Sequence, residues 1–369
     1  MRDPRVSRMA EVLVRYSVEV KPGDLVLVQG SDLASPLIAE VYREVLRAGG
    51  HPDVVTGVPG LSEIFYKEAS QAQLEHVSPL AQLSVEKYQV HVSIGGAHNV
   101  KHLAGVDPKR QAVRSKALAP LNTLFMQRAA RGELRWVYTE FPTNALAQEA
   151  GMSLADFEEF VFAACKVDRP DPIAAWRSVH DEQERICRFL ERFDVLRIVA
   201  RDTDLTLRVG GRKWENADGK ANFPDGEVFT GPVEDSANGY IRFSFPGIYA
   251  GKEIEDIRLE FQDGKVVKAT ARRGEELLHA LLDSDPGARY LGELGIGTNF
   301  EIQRFTREML FDEKIGGTVH LAVGAGYPET GSKNESGVHW DMLCDMRDGG
   351  EIYGDGRLIY RSGKFLLEA

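Results

Sequence analysis

The chain has 369 residues, of which 43% are hydrophobic and 27% are charged, and its formal net charge is −11. This length exceeds one ordinary hydrophobic core, so two domains of a globular protein are expected. The negative charge argues against nucleic acid or an anionic membrane surface as a main partner.

The cysteines and the opening residues bear on the cellular compartment. Cys165, Cys187 and Cys344 are widely spaced and form no CxxC pair, which argues against a disulfide framework and a cysteine-ligated zinc site. Residues 1–20 contain no apolar core of the signal-peptide kind, and no segment approaches the roughly 18 consecutive apolar residues of a spanning helix. We therefore expect a cytoplasmic protein without a membrane or nucleic-acid partner.

The first half of the chain alternates predicted strands and helices. An apolar strand follows the turn at Pro22-Gly23, a helix begins at Ser35-Pro36 and ends at Gly49-Gly50, and a second strand follows. Strand, helix and strand within about thirty residues predict a βαβ unit and a parallel sheet. The predicted strands are 25–29, 51–56, 90–94 and 135–139, and further predicted helices are 5–16, 108–131, 153–165 and 173–193. We expect an N-terminal α/β domain over 1–193 with a mainly parallel sheet.

The pattern changes after about residue 194, where several segments alternate apolar and polar residues. Turn pairs occur at Gly210-Gly211, Asp263-Gly264 and Asp355-Gly356, and the last two are typical of tight hairpins. Helical stretches are predicted at 274–283 and around 302–310. These patterns predict an α+β C-terminal domain over 194–369, built on a curled or barrel-like antiparallel sheet.

Some features of the first half favour a simple interpretation over a functional one. Gly95-Gly96 follows a predicted strand, but neither GxGxxG nor GxxxxGK[ST] is present, which disfavours nucleotide binding. His98 and His102 have the spacing of a helical metal pair without the glutamate of HExxH, so we interpret them as surface or capping histidines. The cysteines are interpreted as small buried hydrophobic residues.

The second half contains a set of carboxylates and histidines in apolar, glycine-rich settings. Glu227 begins a predicted strand after a Pro-Asp-Gly turn, and Glu293 lies where a helix is predicted to end among glycines. Buried glutamates are rare unless they are paired or bind a metal. His320 lies within an apolar strand, where a lone structural histidine is the simpler interpretation.

The tetrad Val-His-Trp-Asp completes this set with His339 and Asp341. Residues i and i+2 of a strand face the same side, so both could bind one ion, or Asp341 could instead orient His339. Oxygen and imidazole ligands without sulfur suit Zn²⁺, Co²⁺ or Mn²⁺, and five ligands suffice for two ions if one carboxylate bridges them. The set indicates a metal hydrolase.

The same segments carry a resemblance to a known family. EVFTGP, GELGIGTN, FDEKIGGTVHLAVGAGY and NESGVHWDML resemble motifs of the aminopeptidase T / aminopeptidase S / aminopeptidase II family of metalloaminopeptidases, and KPGDLVLVQG and DRPDPIAAW are similar to its N-terminal domain. The resemblance implies two divalent ions, zinc, cobalt or manganese, and a bridging role for Glu293. The implied metal ligands are Glu227, Glu293, His320, His339 and Asp341, and the implied catalytic residues are Tyr327 and Glu293.

The resemblance further implies an activity and an assembly. The activity is removal of N-terminal residues from short peptides by a metal-activated water, in a homodimer whose sites face an enclosed cavity. The chain, and its loop between Tyr327 and His339, look shorter than in relatives. Asp312 and Glu313 are candidates for the general base, although a charged pair at a helix end is an alternative. Another metal-dependent amide hydrolase, a dipeptidase or amidase, and a non-catalytic metal-stabilised scaffold also stay open.

Overall fold

The computed structural model describes residues 3–249 and 251–367. Its α-helices are α1 (Pro4–Val12), α2 (Ser35–Arg47), α3 (Leu61–Glu68), α4 (Gln71–Glu75), α5 (Pro79–Lys87), α6 (Pro108–Ala130), α7 (Asn144–Glu149), α8 (Leu154–Ala164), α9 (Pro172–Leu190), α10 (Glu275–Leu282) and α11 (Met309–Asp312). A π-helix spans Leu13–Ser17, and 3₁₀ turns span Asp32–Ala34 and Pro328–Thr330. None of the helices in the described ranges is long and apolar enough to cross a membrane.

The strands follow in chain order: β1 (Leu25–Ser31), β2 (His51–Gly57), β3 (Val90–Gly95), β4 (Arg135–Glu140), β5 (Val195–Ala200), β6 (Thr203–Arg208), β7 (Glu215–Ala217), β8 (Asn222–Phe223), β9 (Glu227–Thr230), β10 (Asn238–Arg242), β11 (Gly247–Tyr249), β12 (Lys252–Ile254), β13 (Arg258–Gln262), β14 (Lys265–Thr270), β15 (Leu291–Gly297), β16 (Thr318–Gly324), β17 (His339–Asp345), β18 (Glu351–Gly354), β19 (Arg357–Arg361) and β20 (Lys364–Phe365).

The described chain divides into two compact units. The first contains the residues up to Ile173 together with Gly219–Pro224, and the second contains Ala174–Asp218 together with the residues from Asp225 onward. Most of α9 therefore groups with the second unit, whereas we placed the domain boundary after residue 193. The domain assignment stays a prediction.

The first unit contains a parallel sheet of five strands in the order β2-β1-β3-β4-β8. The predicted βαβ unit is confirmed, since β1 and β2 pair in parallel with Leu25 opposite His51 and α2 connects them. Proline in the first turn of α2 agrees with the predicted helix start, because the first turn needs no donor from that nitrogen. The predicted strands and the long helices of this half are also confirmed, with bounds that differ by three residues or fewer.

The second unit is antiparallel, as predicted, and holds two large sheets. One has eight strands in the order β14-β13-β10-β6-β5-β18-β19-β20, and the other has five in the order β17-β16-β15-β9-β7. The strands β11 and β12 form a separate pair. A continuous hydrophobic core joins side chains of both large sheets with α9 and α10, including Leu190, Leu205 and Leu282. Burial of this apolar surface is the main stabilising contribution to the unit.

The hairpins show which turn predictions were correct. Asp263-Gly264 and Asp355-Gly356 have positive φ at both residues and close the β13-β14 and β18-β19 hairpins, as predicted. The β5-β6 hairpin closes instead at residues 201–202, and Gly210-Gly211 follows β6.

The predicted helix at 274–283 is confirmed as α10, whereas the helix expected around 302–310 is mostly wrong. Residues 301–308 form no helix, and helical structure begins only at Met309. Arg307 has a φ of +65°, which a continuous right-handed helix does not allow. Thr306 also donates its N–H and hydroxyl to the Asp312 carboxylate, which holds this segment as a loop.

Candidate metal centre

The two faces of the five-stranded sheet have different chemistry. Alternate residues of β9, β15, β16 and β17 point into the hydrophobic core, among them Val228, Leu294, Leu321 and Trp340. The residues between them face the opposite side. The polar ones on that side include Glu227, Glu293, His320, His339 and Asp341, which are the predicted ligands. The structure thus brings all five together on one sheet face.

A β-bulge directs Glu293 to this face. The register of β15 against β16 shifts between Leu291, opposite Val323, and Glu293, opposite Ala322, so Gly292 is the extra residue. In a regular strand Leu291 and Glu293, two residues apart, would share a face. The bulge instead lets Leu291 belong to the core while Glu293 faces the other side. Glu293 therefore lies in a buried strand, and our expectation that a helix ends there was wrong.

The five side chains form two groups that share Glu293. In the first group, His320 Nε2 lies 3.0 Å from Glu227 Oε2 and 3.4 Å from Glu293 Oε1. In the second, His339 Nε2 lies 3.3 Å from both Glu293 Oε2 and Asp341 Oδ2. Each oxygen of the Glu293 carboxylate therefore faces a different histidine, as a bridging carboxylate requires.

Several polar atoms of this cluster are buried without a hydrogen bond within residues 3–249 and 251–367. They are Glu227 Oε2, Asp341 Oδ1 and both ring nitrogens of His320. Buried polar atoms in native proteins nearly always have a partner, and an orphaned set indicates an ion or water. Each site holds carboxylate oxygen and imidazole nitrogen and no sulfur, which fits a borderline divalent cation. The residues present therefore fit a metal.

The histidine rings are held in orientations that suit metal binding. His339 Nδ1 hydrogen-bonds the backbone carbonyl of Ala325 at 2.8 Å, so this nitrogen carries the proton and Nε2 faces the carboxylates. The carboxylate of Asp341 faces Nε2, on the side of the ring away from the Ala325 carbonyl. At Gly295 an added Cβ would lie 2.0 Å from His320 Nε2, so this glycine leaves the space that the imidazole occupies.

The acidic surroundings shift the pKa of both histidines. Burial acts to lower the pKa of His320, but the carboxylates of Glu227 and Glu293 outweigh it and hold that pKa well above its usual range. Burial likewise acts to lower the pKa of His339, while Asp341 and Glu293 raise it to about 11. Without a cation, both rings are therefore protonated near neutral pH.

The pKa values of two acidic ligands, Glu227 and Asp341, are lowered. Burial opposes ionisation of Glu227, but the adjacent Lys314 ammonium and His320 lower the pKa of its carboxyl below the usual range. The pKa of Asp341 is lowered in the same way by His339, against the effect of burial. Both carboxylates are thus ionised and available as ligands.

Tyr327 lies at the edge of the cluster, beside His339. Its ring centroid is 5.1 Å from that of His339 and 5.4 Å from that of Phe229, and the residue is 36% exposed. Burial of the phenol, followed by the negative charges of Glu293 and Asp341, raises the pKa of Tyr327. The hydroxyl therefore stays a proton donor at neutral pH.

The structure separates the two candidates for the general base. Asp312 accepts hydrogen bonds from the N–H and hydroxyl of Thr306, and burial raises the pKa of its carboxyl to about 8. Glu313 instead forms an ion pair with Lys314. Burial raises the pKa of Glu313 to about 8 despite that lysine.

Sequence reasoning missed Lys314. Its side chain is 0% exposed, and its ammonium contacts Glu227, Asp225 and Glu313. Lysine is almost never fully buried unless it is paired, but nothing in the segment DEKIGG indicates that this lysine is inside. The histidines interpreted as surface or capping residues do have that character: His98 contacts Asp32 and is exposed, and His102 hydrogen-bonds the Asn99 carbonyl.

Comparisons with known proteins place this centre in a family. The chain is 29% identical to aminopeptidase 2 of Geobacillus stearothermophilus, over 99% of this chain and 98% of the relative. It is 28% identical to aminopeptidase PepS of Streptococcus thermophilus, over 98% of each chain. The alignments extend over 410 and 423 residues, so these relatives contain residues that this chain of 369 lacks.

A solved structure supports the same grouping at the level of the fold. Wild-type AmpT from Thermus thermophilus superposes with a TM-score of 0.86 at 24% identity, covering 98% of this chain and 99% of that one. The family model for the thermophilic metalloproteases (M29) matches residues 2–365. The predicted resemblance is therefore confirmed, and this chain belongs to the thermophilic metalloprotease (M29) family, whose members hydrolyse peptide bonds with the help of a metal.

Proposed function

We propose that this chain is a metallo-aminopeptidase that removes N-terminal residues from short peptides, using two divalent ions held on one face of the five-stranded sheet. The observation that carries the proposal is the Glu293 carboxylate, whose two oxygens lie between two separate histidine and carboxylate groups. The names of the relatives, aminopeptidase 2 and aminopeptidase PepS, support the same activity.

The division of the ligands favours two ions over one. Glu227 and His320 belong to one group, His339 and Asp341 belong to the other, and Glu293 belongs to both. A single ion in either group would leave a histidine and a carboxylate of the other group without a metal in a buried region. Buried polar and charged groups without partners are costly, so the centre suits two divalent cations.

The ligands suit zinc, cobalt or manganese, because they combine imidazole with carboxylate. Bound there, such ions would polarise the peptide carbonyl and lower the pKa of a water molecule towards neutrality. Glu293 would hold the two ions at a fixed separation. His339 would keep its proton on Nδ1 through the Ala325 carbonyl and present Nε2 as a ligand.

Tyr327 and Glu313 supply the proton chemistry in this proposal. The Tyr327 hydroxyl, kept protonated by its surroundings, would donate a hydrogen bond to the carbonyl oxygen as negative charge develops there. Glu313, whose pKa is raised to about 8, exchanges a proton near neutral pH, and this makes it the better general-base candidate. Asp312 is already engaged by Thr306.

The substrate range, assembly and compartment belong to the same proposal. Phe229 lies on the same face of β9 as Glu227 and contacts Tyr327, so these aromatic side chains would contact the substrate. The family resemblance supports a homodimer whose sites face an enclosed cavity, and this favours short peptides. Cys165, Cys187 and Cys344 are buried thiols outside any disulfide of the described residues, which supports a reducing, cytoplasmic location.

Hydrolysis of dipeptides and amino-acid anilides tests the proposal. Chelation should abolish hydrolysis, and Co²⁺ or Zn²⁺ should restore it, whereas the same peptides with a blocked N-terminus should resist cleavage. Cleavage of N-blocked substrates would favour a different amide hydrolase. The absence of turnover on any free-amine substrate, with the protein fully loaded with metal, would favour the non-catalytic scaffold and overturn the proposal.

A further inference from the structure

Lys314 is a buried cation beside the metal centre. Its ammonium nitrogen lies 2.5 Å from Glu227 Oε1 and 3.4 Å from Asp225 Oδ1, and it also contacts Glu313 Oε1. The side chain is 0% exposed, so these ion pairs lie in a low-dielectric interior. Removing one member of such a cluster leaves buried charges uncompensated.

The backbone holds Lys314 in register with the segment that carries Glu227. The Lys314 carbonyl accepts the Asn299 N–H at 3.1 Å, and the Asn299 side-chain amide donates to the Asp225 carbonyl at 2.9 Å. The Lys314 backbone N–H donates to the Phe311 carbonyl at 3.2 Å. Asn299 thus links the segment before β9 with the segment before β16, and the ammonium has a fixed position relative to Glu227.

The two oxygens of Glu227 consequently have different partners. Oε1 faces Lys314, whereas Oε2 lies 3.0 Å from His320 Nε2 and has no hydrogen bond in the part of the chain that the structure describes. Lys314 forms no ion pair with Glu293 or Asp341 within those same residues. The contact therefore involves only the first group, formed by Glu227, Glu293 and His320.

We propose that Lys314 is a positioning residue that holds Glu227 as a one-oxygen ligand and thereby sets the affinity of the first metal site but not of the second. This inference rests on the proposed function for its two ions. A nearby ammonium would also repel a cation, but Asp225 and Glu313 share its charge, so the loss of orientation outweighs the relief of repulsion. Substitution of Lys314 should therefore weaken metal binding.

The test separates orientation from net charge. Lys314→Met combined with Glu313→Gln removes the ammonium and the carboxyl group that pairs with it. Compared with Glu313→Gln alone, the double variant lacks only a positive charge, and that loss by itself would favour a cation, so weaker binding reports lost orientation. Glu313→Gln alone is the matched control, because it leaves the contact between Lys314 and Glu227 intact. Each is placed in two backgrounds, His339→Ala, which retains the first group, and His320→Ala, which retains the second. Co²⁺ binding is measured by calorimetric titration of the full-length chain.

In the His339→Ala background, the double substitution should weaken Co²⁺ binding more than about tenfold relative to Glu313→Gln, the scale expected when a partner of a metal ligand is lost. In the His320→Ala background, the Co²⁺ affinities of the double variant and of Glu313→Gln should agree within about threefold. Equal weakening in both backgrounds, or none in either, would overturn the inference.

Thermal unfolding followed by circular dichroism shows whether each variant folds. If the double variant does not, Lys314→Arg is tested in both backgrounds, since it keeps the charge but replaces a compact donor with a planar fork. A larger loss of Co²⁺ affinity in the first group than in the second supports the inference, and any other pattern overturns it. Peptide hydrolysis by the wild-type chain is measured separately, so a failure of the proposed function is recognised independently of this comparison.

Discussion

At the scale of single residues, Tyr327 is a donor whose contribution can be measured apart from metal binding. Its hydroxyl stays protonated because burial and the carboxylates of Glu293 and Asp341 raise its pKa. Tyr327→Phe should lower kcat about 10²-fold or more, the usual cost of losing one donor to a developing oxyanion. Steady-state hydrolysis of a dipeptide measures this.

Metal content is the control for that variant. Tyr327 supplies none of the ligand atoms of the two groups, so Tyr327→Phe should retain the same metal content and melting temperature as the wild type. A variant with normal metal content and normal kcat would show that the phenol takes no part in the reaction.

The raised pKa of His339 predicts that metal binding depends on pH. The pKa of His339 is raised from 6.5 to about 11 in the folded, metal-free chain, so a proton must leave before Nε2 can act as a ligand. Binding at neutral pH should therefore release protons, and affinity should rise with pH. Calorimetry in buffers of different ionisation enthalpy measures the release, and a binding enthalpy independent of the buffer would contradict it.

The raised pKa of His339 also affects the stability of the metal-free chain, which should fall as pH rises, whereas metal affinity should increase. A raised pKa means that the protonated ring stabilises the folded state, fully at pH below 6.5 and progressively less as pH rises towards about 11. The free energy of unfolding of the chelated protein should thus fall over this window. Urea unfolding at several pH values measures this free energy. An increase in the free energy of unfolding across the window would contradict the prediction.

At the scale of the strands, the site depends on one sheet face and on a glycine within it. An added Cβ at Gly295 would lie 2.0 Å from His320 Nε2, inside any real contact distance. Gly295→Ala should therefore displace the imidazole and abolish binding at the first group, while the chain keeps its fold. Metal content by elemental measurement and circular dichroism test the two parts.

Gly57→Ala is the matched control, since Gly57 is also a strand residue, the last of β2, and its Cβ would meet nothing within 4 Å. This variant should bind metal like the wild type. If Gly295→Ala also kept its full metal content, the close approach of glycine and histidine would not be needed for the site.

Elements were predictable from the sequence where local chemistry determines them. The strand of His320 is apolar apart from Thr318 and His320 itself. The Asp263-Gly264 and Asp355-Gly356 turns need positive φ, which their residue types allow. The strand of Glu293 was not predictable as a strand, because LGELGIG is rich in glycine, which lowers strand propensity. Tertiary pairing with β9 and β16 on either side forms it instead.

At the scale of the whole molecule, the five ligand types and the family motifs were readable from the chain, but their division into two groups was not. Which oxygen of Glu293 faces which histidine depends on the bulge at Gly292 and on the order of four neighbouring strands. The burial of Lys314 likewise follows from contacts with residues distant in sequence, such as Asp225 and Glu227. Such long-range pairings have no local signal.

The metal should also stabilise the fold as a whole, because its ligands come together only in the folded chain. A ligand that binds only the folded state at about one hundred times its Kd adds about 2.7 kcal/mol per site. Chelation should thus lower the melting temperature by several degrees, and Zn²⁺ or Co²⁺ should restore it. Differential scanning calorimetry with and without chelator measures this, and an unchanged melting temperature would contradict a buried metal centre.

Metal stoichiometry tests the central claim most directly. Elemental measurement on the active wild type should find two divalent ions per chain. Glu293→Gln should lose both, whereas Glu227→Gln should retain the ion bound by His339 and Asp341, because only Glu293 belongs to both groups. An active wild type with one ion per chain, or a Glu293→Gln variant that keeps two, would contradict the account.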